Sequence, residues 1–152
     1  GVTMAIELPS DFLEFLKLLN DHHVEYLLIG GYAVGYWGYP RATGDMDIWI
    51  ACADETARRM VSVYRDFGIV EGIEPATFMN PRGILRMGIP PNRLEVTTYI
   101  DGVEFGECFS RRVEHIVEGV PVHLICLADL RINKAASGRN KDLADLDNLP
   151  EA

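Results

Sequence analysis

Apolar residues recur at Phe12, Phe15, Leu16 and Leu19, the i, i+3, i+4, i+7 spacing of one buried helix face. This predicts a helix over 10–20 with Ser10 as its N-cap. Tyr26–Ile29 is an uninterrupted apolar run, the signature of a short strand buried on both sides. It leads into Gly30-Gly31 and a brief, glycine-interrupted helix over 32–37. Between Asp45 and Ile50 the pattern alternates, setting Met46, Ile48 and Ile50 on one strand face and Asp45, Asp47 and Trp49 on the other. A helix over 54–67 follows, capped by Asp54 and closed by Gly68, with Ala57, Met60, Val61 and Tyr64 facing inward.

The stretch 72–83, holding Pro75 and Pro81, reads as an irregular loop. Strands are predicted over 84–89 and 93–100, joined by the turn Pro90-Pro91-Asn92, and over 113–117 and 120–125, joined at Glu118-Gly119. Two helices, 127–137 and 141–149, close the chain on either side of Gly138. Helices thus stand before, among and after the strands. The economical architecture is α+β, two layers, with a mixed sheet and the helices packed mainly on one face. Without a linker or repeat, residues 1–152 read as one domain, Gly1-Val2-Thr3 ahead of Met4 resembling a cloning remnant.

Charge narrows the choice of partner. The chain carries 14 Lys+Arg against 23 Asp+Glu, a formal net charge of −9, and an extended grip on duplex nucleic acid needs the opposite sign. No run approaches the ~20 apolar residues of a spanning helix, so no membrane partner is expected. Cys52, Cys108 and Cys126 are too few and too widely spaced for a disulfide framework or a zinc site, which makes the reducing cytoplasm the expected location. His22, His23, His115 and His123 show no ligand spacing and read as surface or packing residues.

Candidate chemistry concentrates between Ile29 and Ile48. Carboxylates at i and i+2 of a strand, Asp45 and Asp47, project from the same face with Cα atoms about 6.6–6.8 Å apart and can converge on divalent ions. Magnesium suits such a site, with manganese as its substitute, because it takes a few carboxylates together with substrate phosphates. Gly30-Gly31, lacking Cβ atoms, lets the backbone approach a phosphate. Each motif alone is common on solvated strands and turns, but their succession places both at one edge of one sheet. Arg41 and Thr43, just before the first aspartate, are candidates for phosphate contact; an ion pair for Arg41 and a turn-closing hydroxyl for Thr43 are the alternatives. Tyr32, Tyr36, Trp37 and Tyr39 suit stacking on a base but read first as core.

With these residues in view, the chain resembles the DNA polymerase beta-like nucleotidyltransferase superfamily, in particular its small single-domain members. Gly30, Gly31, Asp45 and Asp47 match that superfamily's signature, and 91–96 resembles the strand that carries its third acid, here Glu95, where most relatives have Asp. The tail from Leu130 through Lys134, Gly138-Arg139 and Lys141-Asp142 to Asp145 is similar to the ending of these small proteins. The resemblance implies that Asp45, Asp47 and Glu95 bind Mg²⁺, and that Gly30, Gly31, Arg41, Thr43 and Lys134 contact the nucleotide. By spacing alone Lys134 falls on the packing side of its helix, where a lysine snorkels, so structural and phosphate-binding roles are both open to it. Asp142 and Asp145 read as ion-pair partners of Arg139 or Lys141.

The implied reaction is transfer of a nucleoside monophosphate, AMP by expectation, from an NTP to an acceptor hydroxyl with release of pyrophosphate. The acceptor would be a small molecule, a protein or an RNA end, and a second copy or a toxin-antitoxin partner would complete the cleft. The competing expectation is a catalytically degenerate nucleotidyltransferase fold acting as a binding or antitoxin module, which the Glu95 departure keeps open. A hydrolytic metal site is a third.

Overall fold

The computed structural model describes residues 6–152, so the reading of Gly1-Val2-Thr3 lies outside the described residues. The elements follow the order α1 (Ser10–Asp21), β1 (Tyr26–Ile29), α2 (Gly30–Tyr36), β2 (Asp45–Ile50), α3 (Asp54–Asp66), a 3₁₀ turn (Pro75–Phe78), β3 (Ile84–Met87), β4 (Arg93–Thr97), α4 (Phe105–Ser110), β5 (Val113–Val117), β6 (Val120–Leu124), α5 (Leu127–Ser137) and α6 (Asn140–Asn148). The fold is α+β with one mixed six-stranded sheet, ordered β3-β4-β2-β1-β6-β5. β1 runs antiparallel to β2 and parallel to β6, β2 runs parallel to β4, and β3–β4 and β5–β6 are the two expected antiparallel pairs. No helix among the described residues is long and apolar enough to cross a membrane.

The periodic segments behave as their patterns require. Phe12, Phe15, Leu16 and Leu19 are the buried residues of α1, and all four residues of β1 are buried, as befits a strand between β2 and β6. On β2, Met46, Ile48 and Ile50 are fully buried. On its other face Trp49 is covered too, by Phe105 of α4 in an edge-on contact at 5.2 Å, which leaves Asp45 and Asp47 as that face's polar end.

Several local readings are corrected. Ser10 does not cap α1: Pro9 holds the cap position, and its carbonyl accepts the N–H groups of Phe12 and Leu13 at 3.0 and 3.1 Å. Asp54 is the first residue of α3, paired with Arg58, and Ala53 precedes it at the cap. α3 buries Val63 where Val61 was expected, and α2 begins at Gly30. β3 and β4 stop at Met87 and Thr97, short of the expected ends. α4 has no counterpart in the sequence reading: its six residues span too few turns to show a periodic stripe, and its signal is Glu104, whose carboxylate accepts the N–H groups of Gly106 and Glu107 at 3.0 Å each. His22 pairs with Asp66 at the surface and His115 packs against Tyr36, in keeping with packing and surface roles.

Candidate functional site

The acidic site is a product of strand register. Asp47 lies opposite Ile29, the last residue of β1, and opposite Glu95 on the parallel neighbour β4. Residues directly opposite in a ladder share a face, so Asp45, Asp47 and Glu95 project together, with one carboxylate oxygen of each inside a 4.8 Å span. Gly30 follows Ile29 immediately. Its φ of +68° suits glycine, and a Cβ there would run into the Asp47 carboxylate. Gly31 is needed for another reason: its Cβ would lie 2.6 Å from Thr43 Oγ1 and 2.7 Å from Thr43 Cβ. The glycine pair therefore admits Asp47 on one side and the Thr43 turn on the other.

Charge is unevenly satisfied within this triad. Arg93 grips Asp45 with two bonds, Nε to Oδ1 at 2.8 Å and Nη2 to Oδ2 at 2.9 Å. Arg86 Nε donates to Glu95 Oε1 at 2.8 Å. Asp47 has no ion-pair partner among the described residues. Burial, then the adjoining carboxylate of Glu95 and the charge of Asp45, push its carboxyl up to about 7, against a weaker opposing pull from Lys141. Three hard oxygen donors with one uncompensated acid fit a small divalent cation.

The triad stands in a cleft of about 590 Å³ that reaches to α5 and α6, within the size range of small-ligand sites. Its lining includes Arg41, Arg86, Arg93, Lys134, Arg139 and Lys141, six of the fourteen Lys+Arg, against only five of the twenty-three Asp+Glu: Asp45, Asp47, Glu95, Asp101 and Asp142. An acidic protein has thus brought six of its cations to one place. Gly30 and Gly31 also border the cleft, while Tyr99, Ile84 and Ile100 give it an apolar flank.

Two expected nucleotide contacts are occupied otherwise. Lys134 does not snorkel: its side chain is 7% exposed, and Nζ lies 3.2 Å from Asp142 Oδ1 and 3.0 Å from Asp145 Oδ2. Arg41 forms a fork on Asp145 at 2.7 and 2.8 Å, and Arg139 Nε bonds Asp142 Oδ2 at 2.8 Å. Asp142 and Asp145 are ion-pair partners as expected, but Asp145 takes Lys134 and Arg41, and Lys141 makes no ion pair among the described residues. Thr43 does not line the cleft. Its hydroxyl donates to the Asp45 carbonyl at 3.0 Å, closing the turn into β2. It borders instead a second cavity of about 430 Å³ behind Gly31, beside Tyr32 and Tyr36.

Arg93 and Arg86 are cleft residues that the sequence reading did not connect to the acidic triad. Strand alternation puts Arg93 on the face of Glu95, and β4 runs parallel to β2 with Arg93 opposite Asp45, a pairing that the sequence of either strand alone does not show. No family model matches the chain, and no curated protein matches it in sequence.

Proposed function

We propose that this protein is a metal-dependent nucleotidyltransferase that moves a nucleoside monophosphate from an NTP to an acceptor hydroxyl. The observation that carries the reading is the convergence of Asp45, Asp47 and Glu95 within 4.8 Å, beside a glycine pair, in a cleft where cations are concentrated. The resemblance of Gly30-Gly31, Asp45-x-Asp47 and Glu95 to the DNA polymerase beta-like superfamily supports it.

In this reading Asp45, Asp47 and Glu95 hold Mg²⁺, which supplies charge neutralisation at the polyphosphate and makes the acceptor hydroxyl more acidic. The chain's own contribution is positioning and field. Gly30 and Gly31 let a phosphate come against the backbone. Lys141 and Arg139, at the start of α6, draw the β- and γ-phosphates to the cleft and favour departure of pyrophosphate. The acceptor oxygen bonds to the α-phosphorus, the bond to the bridging oxygen breaks, and Glu95 accepts the acceptor's proton. Lys134 and Arg41 act one step removed, by fixing α6 against α5 and against the segment that leads into β2.

Incubation with α-labelled NTPs, Mg²⁺ and pools of hydroxyl acceptors (small molecules, proteins, RNA ends) tests the proposal. The native chain should transfer label, and the Asp45→Ala/Asp47→Ala double variant should lose at least about 1,000-fold of that rate. Equal transfer by both would defeat it. A second reading, a nucleotidyltransferase fold serving only as a binding module, draws on Arg93 and Arg86 already holding two of the three acids. Calorimetry with ATP separates the two, since the module expects no Mg²⁺-dependent binding.

A further inference from the structure

Arg93 stands two residues before Glu95 on β4 and directly across from Asp45 on β2. Strand alternation therefore delivers its guanidinium to the place where the carboxylates converge. One rigid fork engages both oxygens of Asp45, and its Nη2 is also 3.6 Å from Glu95 Oε1. A cation drawn to these oxygens meets a guanidinium already in position.

Resting on the metal-binding reading above, we propose that Arg93 is an internal counter-cation that a divalent ion must displace from Asp45, so that ion loading and release of the guanidinium into the cleft are one event. The side chain is free to leave: it is 33% exposed, unlike Lys134 at 7%. Arg86, 56% exposed on Glu95, is a weaker version of the same device. The ion's apparent affinity is then its intrinsic affinity scaled by the fraction of molecules in which Asp45 stands free, and a fraction of about one tenth weakens binding about tenfold. Once displaced, the fork faces the cleft with its donors open, a geometry suited to phosphoryl oxygens.

Occlusion by a fork differs from a general electrostatic field, because any nearby cation contributes field and, among the described residues, only Arg93 covers both Asp45 oxygens. Mn²⁺ binding to the nucleotide-free chain, followed by electron paramagnetic resonance and calorimetry, separates them in the native protein, R93Q, R93K and K141Q. R93Q should bind Mn²⁺ about tenfold more tightly. R93K, which keeps the charge and loses the fork, should lie nearer R93Q than the native protein, and K141Q should change affinity by about twofold or less, as a solvent-screened charge does. R93K matching the native protein, or K141Q matching R93Q, would reduce Arg93 to a source of field and overturn the proposal.

Melting curves guard against a folding artefact. R93Q should melt lower than the native protein in EDTA and gain more from Mn²⁺ than the native protein does; an R93Q chain that Mn²⁺ fails to restore would make Arg93 a structural strut and also overturn it. Mn²⁺ bound equally by R93Q and the native protein defeats this inference alone. Absence of Mn²⁺ binding in both defeats the metal reading itself.

Discussion

Two kinds of carboxylate border one cleft, and the surroundings of Asp142 and of Asp47 push them in opposite directions. Asp142 and Asp145 on α6 are almost wholly buried, which by itself would raise their carboxyls, yet hydrogen bonds and charge from Arg139, Lys134 and Arg41 outweigh burial and hold both below the ordinary range. Asp47, across the cleft, is also raised by burial, but its nearest neighbours are two more acids, and its carboxyl rises to about 7. Satisfied acids of the first kind hold α6 in place. Asp47 is of the second kind, an acid left without a counter-charge, and perturbed acids of that kind cluster at functional sites.

The largest test of that contrast removes the centre of the satisfied group. Lys134→Met keeps the length of the side chain and deletes the ammonium shared by Asp142 and Asp145. Breaking a buried pair from one side leaves uncompensated charge, and the expected loss is about 3 kcal/mol, read from the urea midpoint. Arg139 and Arg41 remain on the two acids, so α6 should stay docked. A loss under about 1 kcal/mol would show that Lys134 is not what holds the network together.

A smaller effect of opposite sign is expected at Asp47. A carboxyl whose folded value, about 7, exceeds its ordinary 3.8 binds its proton more tightly when folded. Stability therefore falls as pH rises between those values and levels off above them. Asp47→Asn removes this penalty. In EDTA the variant should be more stable than the native chain by about 2 kcal/mol above pH 7, with the gain vanishing below pH 4. That is half of the ~4 kcal/mol that the full rise would cost, since carboxylates at an open cleft can turn apart as Asp47 ionises. Saturating Mg²⁺ should reverse the order, because an ion that binds only the native folded state stabilises it by mass action. A pH-independent difference would mean that Asp47 is not strained by its neighbours.

Legibility in the sequence followed the range over which each interaction acts. The stripe of α1 and the alternation of β2 are local, and they survive in the structure almost residue for residue. The fork of Arg41 on Asp145 spans 104 positions. It depends on how α6 docks, and nothing in the spacing near Arg41 encodes that. Lys134 shows the same limit from another side: its spacing put it on the packing face of α5, but only the presence of two acids from α6 makes a buried ammonium tolerable there. Asp45 and Asp47 were readable because a glycine pair and an Asp-x-Asp strand mark one sheet edge, and Glu95 only through the resemblance of 91–96 to a family strand; the arginines that cover the acids were not, because strand direction is invisible in a single strand's pattern.

The smallest effect lies at the rim of the satisfied group. Arg139 is 79% exposed while its partner Asp142 is 3% exposed, and Lys134 backs the same carboxylate from inside. Solvent screens the outer arginine, so Arg139→Gln should cost only about 0.5–1 kcal/mol at pH 7 by thermal or urea unfolding. The pH course tells this loss from a merely steric one. Asp142's folded carboxyl lies below its ordinary 3.8, so the stability it contributes is fully present above that value and disappears as pH falls through the folded one. The gap between native and Arg139→Gln proteins should accordingly be constant from pH 5 to pH 8 and close only in acid, as pH falls through that depressed value. A gap that persists in acid would mean that Arg139 supports α6 by packing, and that the burden of holding Asp142 ionised rests on Lys134 alone.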